Sequence, residues 1–167
     1  IALLPFISLP TGNGQCRLHF IIASQANLVN LFLLNCTAGF DIIIKKEVDS
    51  MKITWYGHSC FLVESAEGSL VFDPYAPGSV PGLSLPELRA DAVICSHAHA
   101  DHAYADGVSL SGRAPSFKLH SLDTWHDELG GQKRGANTMT VLEAEGLRVL
   151  HMGDLGHMLS AQELSAL

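Results

Sequence analysis

The sequence predicts a strand-rich α/β domain over residues 51–167, with an upstream segment of different character before it. Three observations carry this reading: two hairpin signals, a short apolar run that ends on a histidine cluster, and a change in charge near residue 50. Residues 1–50 hold Arg17, Lys45 and Lys46 against Asp41, Glu47 and Asp49, so the net charge of −7 belongs to the remainder of the 167-residue chain. A hydrophobic content of 47% in a chain of this length is enough for one packed core.

Taken in order, the first element opens at Met51, where Met51-Lys-Ile-Thr-Trp-Tyr-Gly-His58 is rich in strand-forming β-branched and aromatic residues. Residues 60–63 and 69–72 then flank Glu67-Gly68, a hairpin signal, and the second strand runs into Asp73-Pro74. Pro77, Pro81 and Pro86, with Gly78 and Gly82, mark a long loop. Residues 91–96 are a short apolar run, the mark of a strand covered on both faces, and they deliver His97. Residues 138–143 and 147–152 form a second hairpin across Glu145-Gly146, ending in Gly153-Asp154. Last, Ser160-Ala-Gln-Glu163 is a capping box that starts a helix, with Leu164 and Leu167 on one side.

Residues 1–50 are expected to be an upstream extension outside the domain, with the domain of residues 51–167 incomplete at its far end. Within the extension, residues 28–44 are apolar, but Asn30, Asn35, Thr37, Gly39 and Asp41 interrupt them too often for a membrane span. The order of features also differs from that of a signal peptide. Cys16, Cys36, Cys60 and Cys95 form no CxxC pair, so structural disulfides are not expected and a reducing, cytoplasmic compartment fits. Lys45-Lys46 and Lys133-Arg134 are the only basic pairs, which argues against a nucleic-acid partner.

The chemistry is concentrated in His97-Ala98-His99-Ala100-Asp101-His102, four potential ligands in six positions. Imidazole and carboxylate groups are costly to bury without partners, and a metal ion supplies one. Two histidines at i and i+2 of extended chain point to one side, and the following turn can bring Asp101 and His102 around a second position. Three neutral imidazoles around a divalent ion leave an open position, where the pKa of a bound water falls to near neutrality. Zinc is the default for such ligation, with manganese or iron as alternatives where carboxylates join.

This cluster, followed by His126 and by Gly153-Asp154 at a strand end, resembles the metallo-β-lactamase superfamily. Gly57-His58-Ser-Cys-Phe61, Phe72-Asp73-Pro74 and His126-Asp127 with Arg134-Gly-Ala-Asn-Thr138 resemble, more narrowly, the metal-dependent hydrolases related to ascorbate-6-phosphate lactonase. The resemblance covers residues 51–167. It implies an αβ/βα sandwich, here its N-terminal half plus part of the second, and two divalent ions at one edge of the sheets. It further implies that His97, His99 and His126 hold one ion, that Asp101 and His102 hold the other, and that Asp154 bridges them. A later histidine of that pattern has no counterpart in this chain.

The expected activity is metal-dependent hydrolysis of a small ester, lactone, amide or phosphoester. A nuclease of the same superfamily and a metal-binding but catalytically incomplete fragment are the alternatives. Asp101 has two readings, ligand of the second ion or catalytic base. Asp73 is expected to orient a ligand histidine without binding metal. His58 either faces the cleft toward substrate or is a hydrogen-bonded structural residue, and Arg134 either binds an anionic substrate group or is a solvated loop charge. His120, His151 and His157 are read as structural or supporting residues, and Cys60 and Cys95 as inert.

Overall fold

The computed structural model describes residues 51–167 in full and, before them, the backbone of residues 9–11, 14–16, 20–24, 30–36, 39–45 and 50. In chain order the strands are β1 (Leu9–Thr11), β2 (Gly14–Cys16), β3 (Phe20–Ser24), β4 (Asn30–Cys36), β5 (Gly39–Lys45), β6 (Ser50–Trp55), β7 (Phe61–Ser65) and β8 (Gly68–Phe72). They continue with β9 (Leu88–Ala90), β10 (Ala92–Ile94), β11 (Val108–Leu110), β12 (Lys118–Trp125), β13 (Ala136–Ala144) and β14 (Leu147–His151). One α-helix, α1 (Ala161–Ala166), follows, capped as predicted: the Ser160 hydroxyl accepts from the Glu163 amide and the Glu163 carboxylate from the Ser160 amide.

Two sheets dominate, a six-stranded one in the order β10-β8-β7-β6-β5-β4 and a four-stranded one in the order β12-β13-β14-β3. Alternation along the strands explains how they meet. Met51, Ile53, Phe61, Val63, Leu70 and Phe72 point from the first sheet, and Leu142, Ala144, Leu147 and Val149 from the second, into one shared core. The intervening residues Leu62 and Val71 face the other way, onto Cys60, Tyr75, Leu88, Ala90 and Val108. β7 and β8 are therefore covered on both faces, which is why they read as continuous apolar runs.

Both predicted hairpins are present. The first turns at Ala66-Glu67, one residue ahead of the predicted site, with Ser65 paired to Gly68. The second turns at Glu145-Gly146, where both residues have positive φ, 52° and 70°, the twist a two-residue hairpin requires. The two turns lock together at one end of the sheets: Glu145 accepts from the Ala66 amide at 2.6 Å, and Glu67 from the Glu145 amide at 2.7 Å.

Two expectations need correction. The strand before His97 is shorter than predicted and only half-buried, because β10 ends the order of its sheet and, among the described residues, pairs with β8 alone. β12 has no counterpart among the predicted elements: Leu119, Leu122 and Trp125 recur at every third position, a spacing that signals no strand, and pairing with β13 along its whole length sets its conformation.

The predicted boundary near residue 51 falls at β6. The side chains before it lie outside the described residues, as do those of Cys16 and Cys36, while β3 pairs with β14 and β5 with β6. Cys60 and Cys95 are free thiols. Among the described residues no helix is long and apolar enough to cross a membrane.

Candidate metal centre

Strand ends from both sheets converge at the end opposite the hairpin turns. β8 and β10 run parallel, and the Asp73 amide extends their ladder by donating to the Ile94 carbonyl at 2.9 Å. Asp73 and Ser96 thus emerge side by side. The Thr138 amide donates to the Ser96 carbonyl at 2.9 Å, which ties this corner to the start of β13 in the other sheet.

Asp73, fully buried at a left-handed φ of 44°, is the hub. Its carboxylate accepts from the Ser96 amide and hydroxyl, each at 2.6 Å, and from Nδ1–H of His102 at 2.7 Å. Burial alone would raise its pKa, but the bonds to His102 and Ser96 and the nearby His151 hold it below the usual carboxylate range. Ser96 Oγ has one proton, given to Asp73, so it accepts from Nδ1–H of His97 at 2.9 Å. One carboxylate therefore sets two histidine tautomers, leaving the Nε2 lone pairs of His97 and His102 facing the cleft. His151 supports Asp73 from behind, stacked on Phe72 and 3.7 Å from the carboxylate.

His102 Nε2 lies 3.5 Å from Asp154 Oδ2, 3.9 Å from Asp101 Oδ2 and 3.1 Å from His58 Nε2. A lone pair opposite two carboxylates is repulsive unless a positive charge sits among them. In the ion-free chain a proton meets that need: burial opposes the charge, but Asp154 and Asp73 outweigh it and push the His102 pKa up to about 9. His97 goes the other way. Burial, then the neighbouring His102, lowers it to about 4, so its ring is the neutral form that metal ligation needs.

Asp154 follows β14, after Gly153. Its amide donates to Asn137 Oδ1 at 2.9 Å, and the Asn137 amide group donates to Thr124 Oγ1 and the Met152 carbonyl, both at 2.9 Å. A Cβ at Gly153 would stand 2.3 Å from Asn137 Oδ1 and 2.5 Å from Ser96 Cβ, so only glycine fits this crossing. Asp154 Oδ2 lies 3.1 Å from His126 Nε2 as well as near His102, placing the carboxylate between the two histidines. Burial would raise its pKa, yet the bond to His102 and the charges of His102, His126 and His97 hold it well below the usual range.

His126 is placed through its backbone. The Asp127 carboxylate accepts from the amides of Leu129, Gly131, Lys133 and Arg134 at 2.8 to 3.0 Å and folds the loop upon itself. Burial opposes the charge of Asp127, and these four donors outweigh it, lowering the pKa. The Gly156 amide donates to the Trp125 carbonyl at 2.9 Å, and a Cβ on Gly156 would come within 2.2 Å of the Asp127 nitrogen and the His126 carbonyl carbon.

Three sets of donor atoms result, each mutually within 4.8 Å: His97, His99 and His126; His97, His102 and Asp154; and His58, Asp101 and His102. Ligands of one zinc ion, each about 2.0–2.1 Å from it, lie within about 4.2 Å of one another. Within the sets, His97–His99 at 3.0 Å, His58–Asp101 at 3.2 Å, His102–Asp154 at 3.5 Å and His102–Asp101 at 3.9 Å meet that requirement.

A family model described as a beta-lactamase superfamily domain matches residues 52–167, which include every residue of these sets. The chain belongs to the metallo-β-lactamase superfamily. Among relatives in that superfamily, a UPF0173 metal-dependent hydrolase of Thermoplasma volcanium is 33% identical over 102 residues, covering 59% of this chain and 45% of the relative. One of Opitutus terrae is 50% identical over 65 residues, 36% of this chain and 27% of the relative. One of Archaeoglobus fulgidus is 29% identical over 156 residues, 70% of this chain and 67% of the relative. The chain thus spans about half or less of the length of the first two of these relatives and about two thirds of the third. No solved structure matches the chain at a significant level.

The structure brings His97, His99, Asp101, His102, His126 and Asp154 together, with Asp73 beneath and His58 beside them. Arg134 belongs to none of the three donor sets; its amide is bound by Asp127 and its side chain is exposed. His120 sits on the outer surface near Glu143, and His157 near Glu163. Ser96, Asp127, Asn137 and Gly156 carry roles that residue-type reasoning does not assign. Asp127 and Asn137 stand in motifs that carry the family resemblance, whereas Ser96 and Gly156 have no signal without the fold.

Proposed function

We propose that this chain carries the metal-binding residues of a dinuclear metallo-β-lactamase-type hydrolase. His97, His99 and His126 hold one divalent ion, Asp101 and His102 the other, and Asp154 joins the two. The convergence of His102 Nε2 on the Asp101 and Asp154 carboxylates, with its tautomer fixed by Asp73, is the observation that supports this reading most. In the same reading, the two sheets are the central layers of an αβ/βα sandwich.

Bound divalent ions supply Lewis acidity, lowering the pKa of a water toward neutrality and polarising the substrate oxygen. The chain's own residues do the rest. Asp154 holds its carboxylate ionised between the two positions. Asp101, with 37% of its side chain exposed against 26% for Asp154 and none for Asp73, is the most open carboxylate of the three and the one we assign to take up and return a proton. Arg134 attracts a phosphate or carboxylate on the substrate, which we take to be a small ester, lactone, amide or phosphoester in the cytoplasm. Zinc suits the imidazole-rich position, and manganese or iron suit the carboxylate-rich one.

The test is ion content of the full chain after equilibration with zinc and removal of free metal. Two ions per chain, with hydrolysis of a chromogenic ester, lactone or phosphoester that disappears on chelation, is the expected result. His97 belongs to two of the donor sets, so His97→Ala lowers both ion content and rate. A chain that binds no ion, or a His97→Ala variant that keeps both properties, overturns the proposal.

A further inference from the structure

We propose that His58 is a ligand of the second ion, completing with Asp101 and His102 a three-donor site built within this chain. The inference rests on the dinuclear reading above and goes beyond it by one ligand.

His58 Nε2 lies 3.1 Å from His102 Nε2 and 3.2 Å from Asp101 Oδ2, and the third side of the triangle, His102 Nε2 to Asp101 Oδ2, is 3.9 Å. Neighbouring ligands on one tetrahedral zinc ion are separated by about 3.3 Å, the edge set by bonds of about 2.0–2.1 Å. These three atoms therefore have the spacing of three ligands sharing a cation. The two rings meet edge to face, with centroids 4.7 Å apart and planes at 63°, so both nitrogens can point at a common position.

The bland reading gives His58 an Nε2–H donated to its neighbours. A proton on His58 alone serves one of two acceptors, and a second proton on His102 sets two N–H groups 3.1 Å apart, whereas a cation in the triangle satisfies all three donor atoms.

The chain also fixes His58 for such a task. The residue lies in the connection between β6 and β7 at a left-handed φ of 49°, a conformation that costs a non-glycine residue free energy and recurs at functional sites. Four hydrogen bonds hold the connection in place. Trp55 Nε1 donates to the His58 carbonyl at 2.8 Å, the Cys60 amide to the Gly57 carbonyl at 3.0 Å, and the Tyr56 amide to the Cys60 carbonyl at 2.9 Å. The hydroxyl of buried Tyr75 donates to the Tyr56 carbonyl at 2.9 Å. The ring is thus presented from a rigid strand end while remaining half-exposed, open to an ion from solvent.

The experiment loads the full chain, imidazoles nitrogen-labelled, with a spin-active cadmium isotope and reads one-bond cadmium–nitrogen coupling. His58→Ala assigns the signal, and His58→Asp tests rescue. Asp tolerates the left-handed backbone and can ligate a cation, but it cannot donate a hydrogen bond to Asp101. The expected result is coupling at His58 Nε2. His58→Ala should weaken the second ion by more than the roughly 10–100-fold that losing an outer-sphere partner costs. His58→Asp should recover most of that affinity. Two bound ions with no coupling at His58, or a His58→Asp variant no better than His58→Ala, overturns the inference and leaves the dinuclear reading standing. A native chain that binds no cadmium overturns both. Should His58→Ala fail to fold, the native coupling and the aspartate variant still decide.

Discussion

His102 and His126 sit on either side of Asp154, and the fold holds them in opposite ways. His102 is held by its ring: Nδ1–H is bound to a buried carboxylate, and the side chain has no exposure at all. His126 is held by its backbone, between a loop folded around Asp127 and the chain passing at Gly156. The ring-held histidine has its proton position and basicity set by the protein. The backbone-held one has its place set by the main chain, and its ring meets Asp154 at 3.1 Å and the rings of His97 and His99. Damage to the two should therefore differ in kind, electrostatic at His102 and steric at His126.

The largest expected effect comes from Asp73→Ala, which leaves His102 Nδ1–H, the Ser96 amide and the Ser96 hydroxyl without their shared acceptor in a fully buried site. Removing one partner of a buried charged hydrogen bond costs about 3–5 kcal/mol, measurable by urea unfolding. The affinity of the second ion should fall about 10–100-fold, as expected when an outer-sphere partner is lost. A pH arm sharpens the result. Asp73 titrates below its ordinary range in the folded chain, so its contribution is complete above about pH 4 and is lost as pH falls through the depressed value. The gap between native and variant should therefore narrow on acidification; a gap independent of pH, or a loss under about 1 kcal/mol, would show that the ring of His102 is not held this way.

This contrast also explains what could be read from the sequence. The candidate donors were legible because histidine and aspartate at short spacing after an apolar run have few other uses. Asp73 was legible as a support because it ends a strand before a proline. The backbone scaffold was not. Gly156 matters through an approach to His126 and Asp127 from thirty positions away, roughly speaking, along the chain, and glycine has no side chain to advertise it. Strands followed the same division: hairpins with two-residue turns were visible, while β12, with no alternation of its own, takes its conformation from β13. The half-burial of β10 depends on strand order, which local pattern does not encode.

Gly156→Ala tests the steric side with the smallest possible addition. The new methyl would meet three backbone atoms, the Asp127 nitrogen and the His126 carbonyl carbon and oxygen, at 2.2 to 2.4 Å. None of these can rotate away, so the chain must shift, at about 1–3 kcal/mol for such overpacking. Ion binding should suffer at the position of His97, His99 and His126 and be spared at that of Asp101 and His102. Equal losses at both positions would mean that the two histidines share one scaffold and that the contrast drawn above is false.

The smallest effect is expected from Arg134→Ala, which probes the loop that places His126 without touching its fold. Lys133, the neighbouring cation, is engaged with Glu128 at 2.8 Å. Arg134 has its amide fixed on Asp127 at 2.8 Å while its side chain is exposed, and no ion pair of its guanidinium is found among the described residues. The charge is therefore carried on a fixed backbone with its side chain exposed. Its removal should change stability by less than about 0.5 kcal/mol, as is usual for an exposed side chain. Kinetics should respond selectively: KM rises for substrates with a phosphate or carboxylate, kcat stays constant, and neutral esters are unaffected, the pattern of lost uniform binding. An equal change for neutral and anionic substrates would reduce Arg134 to a solvated loop charge, and substrate selection would then have to come from the cleft around Asp101.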